Sequence, residues 1–100
     1  MIDKDILKRA IEKWGQDIQL EMMVEECSKM IKAIQKFKRN YNKEDFAGNE
    51  VLIFNICDEI ADVKIMCETL SLVFDNDLIE AREIMKMNRL IKRIKRNDKG

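Results

Sequence analysis

"EVLIFNICDEIADVKIMCETLSLVF", residues 50–74, decides the fold. Its apolar residues recur around most of a helical wheel rather than along one stripe, and the β-branched alternation of a strand is missing. Such a helix needs cover on most sides, which places it at the centre of a bundle or in an interface between subunits. Its acids stand out against that background. Counted at about 100° per residue, Asn55, Asp58, Glu59 and Asp62 project within roughly a 100° sector, beside Val51, Met66 and Thr69.

Upstream, "RNYNKEDFAGN" (39–49) carries the asparagines and glycine of a connecting loop, and a long second helix is expected from Asp17 to about Lys38. Before it, "DKDILKRAIEKWG" (3–15) offers Asp3 or Asp5 as an N-cap and Gly15 as a stop for a short first helix. Downstream, Asp75, Asn76 and Asp77 supply a turn and cap for a fourth helix, "LIEAREIMKMNRLIKRIKR" (78–96), whose basic end complements the helix dipole. With no proline and three glycines, little interrupts helical periodicity. The expectation is one all-α domain spanning residues 1–100, a four-helix bundle. A helical domain of this size has a modest core unless it shares surface with a partner, so self-association through the third helix, to at least a dimer, is expected.

Composition excludes several functions. Lysines and arginines number 19 against 19 aspartates and glutamates, so no overall field favours nucleic acid or an anionic membrane. "IKRIKRNDK" in the last helix lacks interleaved aromatics, which argues further against nucleic acid. No apolar run approaches the length of a bilayer span, and the charged first residues lack the apolar core of a signal peptide; a soluble, cytoplasmic protein is expected. The absence of histidine removes the His-containing zinc sites, the Ser-His and Cys-His nucleophile pairs and the usual general base. Cys27, Cys57 and Cys67 form an odd set without CxxC spacing, each inside a helical pattern, and are expected as small buried apolar residues. Catalysis would have to run on carboxylates, lysines, hydroxyls or metal-activated water.

The second helix holds a matching anomaly in "EMMVEECSKMIKAI" (21–34). Glu26 shares a face with Met22, Met23, Met30 and Ala33, whereas Glu25 has Glu21 and Lys29 as its i±4 neighbours, the pattern of an exposed ion-pair row. Isolated buried charges are very costly, so acids on apolar faces are normally neutralised, paired or bound to metal. Bringing Glu26 towards Glu59 and Asp62 makes an all-oxygen pocket. Oxygen ligands without imidazole or thiolate suit a hard cation, magnesium or manganese, and magnesium takes substrate phosphates among its remaining ligands. The chemistry that follows is metal-assisted attack of water on a phosphate chain. The competing explanation is a set of acids on solvated faces.

"KWGQDIQLEMMVEEC" (13–27) followed by "CDEIADVKIMCETL" (57–70) resembles the MazG-like proteins of the all-α nucleoside triphosphate pyrophosphohydrolase superfamily, whose pattern is EExxE on one helix and ExxD on a later one. The resemblance implies a helical bundle, often dimeric or a dimer of dimers, and so a homodimer or homotetramer here. It also implies acids that hold magnesium and cleavage of a nucleoside triphosphate into the monophosphate and pyrophosphate. Glu26 matches the first acid of ExxE, and Glu59 and Asp62 match ExxD. Where the family has its other acid this chain has Lys29, an ammonium that changes the local charge by about two units. Two explanations stand: an exposed i,i+4 partner of Glu25, or a cation that meets the substrate phosphates in place of part of a metal.

The last helix contributes "KMNRLIKR" (86–93), similar to the basic segment that follows ExxD in many relatives. Lys86, Arg89 and Arg93 are candidates for holding phosphate oxygens, against a simple solvated helix end. Trp14 is a packing anchor or a surface for a base to stack on, and Met22, Met23, Met30 and Met66 are expected as core filler. An alternative function from a different class is a degenerate MazG-like protein that keeps the bundle and serves as a nucleotide-binding or protein-interaction module.

Overall fold

A computed structural model of the chain describes the backbone of residues 1–99 and the side chains of residues 1–98. It consists of four helices, α1 Lys4–Trp14, α2 Gln16–Asn40, α3 Phe46–Val73 and α4 Asn76–Lys99, with no strand among the described residues. The boundaries follow from local chemistry. Asp3 caps α1 by accepting from the Asp5 N–H at 2.9 Å, satisfying an amide the first turn would otherwise leave free. Gly15 ends α1 and begins α2 at once: its N–H donates to the Ile11 carbonyl at 2.8 Å, and its own carbonyl accepts from Gln19 N–H at 3.3 Å. With φ at 87° it occupies backbone space that side chains rarely adopt, so this one residue sets how α1 leaves α2.

The loop between α2 and α3 is shorter than expected, because Phe46–Asn49 are helical. Asp45 caps α3 through the Gly48 N–H at 3.0 Å. Asn49, expected in the loop, is instead buried in the first turns of α3 and grips the chain behind it. Its side-chain carbonyl accepts from Asn42 N–H at 3.1 Å, and its amide donates to the Asn42 carbonyl. Asparagine and glycine favour turns because their side chains, or lack of one, let the backbone bend; here the same property starts a helix. At the other end of α3, Asp75 accepts from Leu78 N–H at 3.1 Å, so α4 begins at Asn76.

As its all-round apolar pattern predicts, α3 is the central element. It packs mainly on α2 and meets α1 and α4, whereas α4 meets neither α1 nor α2. The interior is small: Leu7, Ala33 and Met66, with Gln19, Asn49 and Thr69 buried beside them. Thr69 satisfies its hydroxyl on the Ile65 carbonyl at 2.8 Å. Because α2 covers one side of α3, residues expected inside are left in the open. Cys57 and Cys67 are exposed and Cys27 half-buried, all as free thiols, and Met22 is exposed on α2. Every side chain from Glu80 to Asp98 is exposed. The radius of gyration is 17.5 Å, against about 13 Å for a compact 100-residue domain. No helix among the described residues is long and apolar enough to cross a membrane.

Candidate functional site

The helical hairpin of α2 and α3 carries Glu26 on one arm and Glu59 and Asp62 on the other. Glu59 and Asp62, three residues apart, lie on one face of α3, and that face looks at α2. One carboxylate oxygen from each of the three lies within 4.8 Å of the others, and all three residues are half-buried. Among the described residues no other cluster of three such side chains approaches this spacing. Asn55 and Asp58, from the same sector of α3, are exposed and lie outside the group, as does exposed Glu25.

Two carboxylate oxygens of these residues are stranded. Glu26 Oε2 and Glu59 Oε2 are out of contact with solvent and have no hydrogen-bond partner. Buried carboxylate oxygens in that condition are costly, and a hydrogen-bond donor or a cation relieves them. The electrostatics agree with the geometry. Burial pushes the Glu59 carboxyl above its ordinary value; the Asp62 and Glu26 carboxylates add to the rise, and Lys29 opposes it.

Lys29 is more than an exposed partner of Glu25. Its Nζ lies 3.6 Å from Glu25 Oε1 and 3.5 Å from Glu26 Oε1, so it holds one Glu26 oxygen while the other is stranded. The Glu26 carboxylate, followed by that of Glu25, raises the lysine above its ordinary value, and the ammonium is fully charged at neutral pH. Three carboxylates, with an ammonium that Glu26 shares with Glu25, leave a formal surplus of roughly two to three negative charges, most of which a divalent cation would offset. The donor set is all oxygen, and the helix geometry already gathers it, a set able to hold a metal ion.

The expected phosphate-binding residues are placed differently. Lys86, Arg89 and Arg93 are exposed on α4, which makes no contact with α2 and little with α3, so a single chain does not gather them with the acids. The short turn at Phe74 and Asp75 sends α4 away from the hairpin. Trp14 is also exposed, with the Lys13 ammonium 5.3 Å from its ring centroid, a cation–π contact rather than an anchor in the core. Gln19 escaped the sequence reasoning. It is 2% exposed, its Nε2 has no partner, and it precedes Glu26 by seven residues, on the same face of α2. That seven-residue spacing was the available signal.

The raised Glu59 carboxyl gives a pH dependence whose sign is fixed. The folded protein holds this proton more tightly than the unfolded chain, in which the group titrates near its ordinary value of 4.5. Stability therefore falls as pH rises from that value through the raised one, and the cost is complete above it. Glu59→Gln in metal-free protein is expected to raise the melting temperature at pH 7 to 8, with the gain shrinking to nothing below pH 4.5. Melting curves of both proteins across pH check this; a gain that persists at low pH would assign the effect to packing.

Comparison of the chain with family models, with curated proteins and with solved structures gives no match.

Proposed function

We propose that the chain is a magnesium-dependent nucleoside triphosphate pyrophosphohydrolase of the MazG-like kind, converting a nucleoside or deoxynucleoside triphosphate to the monophosphate and pyrophosphate. One observation carries this: Glu26, Glu59 and Asp62, the positions that resemble the family's acids, converge to within 4.8 Å with two buried oxygens unpartnered. These three residues would hold magnesium, or manganese in its place. When bound, the ion would supply Lewis-acid stabilisation of phosphate oxygens and activation of water for attack on the phosphate chain. Glu26 and Lys29 together fix the edge of the site, with the ammonium free to turn from Glu25 towards an incoming phosphate. The half-buried setting limits water around the acids and strengthens their hold on a cation.

A second reading is favoured by the 3.5 Å contact between Lys29 and Glu26: an internal cation already neutralises part of the cluster, and the protein binds nucleotide or a partner protein without efficient turnover. One experiment separates them. Magnesium with a triphosphate should raise the melting temperature, and pyrophosphate should then accumulate across a panel of common and modified triphosphates. Stabilisation without pyrophosphate supports the nucleotide-binding module; neither effect excludes the hydrolase and nucleotide binding alike and leaves the partner-protein role.

A further inference from the structure

The chain exposes 8414 Å², whereas a compact folded monomer of 11.9 kDa exposes about 6,000 Å² by the usual scaling with mass. The excess, roughly 2,400 Å² per chain, exceeds the approximately 800 Å² per partner of a standard interface and falls among those of obligate homodimers. Two surfaces expose apolar side chains that a second copy could cover. The first is α4, where Ile84, Met87, Leu90, Ile91 and Ile94 make an apolar stripe, each 44% exposed or more. The second is an open groove of about 1160 Å³ between α1 and the side of α3 turned away from the acids, lined by Ile2, Ile6, Cys57, Ile60, Ala61 and Ile65.

Charge is divided along the chain as well. Residues 84–99 hold seven lysines and arginines against one aspartate, a net +6, so the rest of this neutral chain carries −6. The basic half of α4 touches none of α1 or α2 in its own chain. We propose that α4 of each chain docks its apolar stripe into the α1/α3 groove of a second copy, giving a closed, reciprocal dimer. Two identical contacts related by a two-fold axis satisfy both stripes and both grooves and leave no open end for further growth. The charged residues at the groove, Asp3, Lys4, Lys64 and Glu68, sum to zero, so the basic half of α4 meets no net repulsion there, and apolar burial holds the surfaces together. The short connection at Phe74 and Asp75 is the hinge from which α4 reaches across. The proposal is independent of the catalytic assignment, because no residue of the acidic cluster takes part.

The test uses the full chain. Light scattering is expected to give twice the monomer mass at micromolar concentration. With Cys27 and Cys67 changed to alanine, Cys57 is the one native thiol, and it faces the groove. Ile84→Cys, Met87→Cys and Ile91→Cys are then introduced singly and mildly oxidised. At least one should form an intermolecular disulfide with Cys57, identified by peptide mass. Ile84→Glu with Ile91→Glu should weaken dimerisation at least about 100-fold, as expected on losing two buried apolar anchors. A monomeric native protein would overturn the proposal. So would a disulfide with Cys57 inside one chain, cross-links only between the two introduced thiols, or an undiminished dimer in the doubly substituted protein.

Discussion

If the proposed hydrolase activity holds, Asp62→Ala and Glu59→Ala are each expected to lower magnesium-dependent pyrophosphate release by about 10³-fold or more, since a bound cation would supply several kcal/mol of stabilisation to phosphate charge and the proposal gives each acid a part in holding it. Glu26→Ala should do the same. Stability should move the other way. Three carboxylates within 4.8 Å of one another repel, and two of their oxygens are buried without partners. Removing one relieves that cost, so the melting temperature of metal-free variants should hold or rise while activity collapses. A general loss of folding would instead lower both together. Near-normal turnover by Asp62→Ala or Glu59→Ala would remove the acids from the mechanism.

The second large effect concerns Lys29. If its ammonium stands in for part of a metal, Lys29→Glu should raise both the number of metal ions bound per chain and the rate of hydrolysis. A fourth carboxylate would then replace the cation that now lies 3.5 Å from Glu26. Lys29→Ala should weaken triphosphate binding about tenfold, the loss expected for one charge-assisted contact to phosphate. Metal-free Lys29→Glu should be less stable than wild type, because it exchanges two ion pairs for added repulsion. Calorimetric titration with manganese and with a non-hydrolysable triphosphate reads stoichiometry and affinity separately. Unchanged values in both variants would make Lys29 a surface partner of Glu25 and Glu26 only.

The hairpin and its acids were legible because they depend on periodicity. Glu26 among methionines, and Glu59 with Asp62 three residues on, announce which faces meet, and Gly15 and Asp75 mark where helices break. Side-chain pairs were harder to see. Lys29 is four residues from Glu25 and three from Glu26, so spacing allowed either partner, and the structure gives it both. The start of α3 was hidden because Asn49 and Gly48 have the composition of a loop, and only the tie from Asn49 to Asn42 reveals them as helix. The whereabouts of Lys86, Arg89 and Arg93 could not be read at all: their position depends on the direction α4 takes after Phe74, which no local pattern encodes. The exposed cysteines have the same origin, since an apolar helix declares that it needs cover without declaring what supplies it.

The most direct test of the central claim is a manganese titration followed by electron paramagnetic resonance, comparing wild type with Asp62→Ala. Saturable binding of manganese by wild type, competed by magnesium and lost in Asp62→Ala, is the predicted result. No saturable binding, or the same binding in both proteins, would contradict the assignment of Glu26, Glu59 and Asp62 as a cation site.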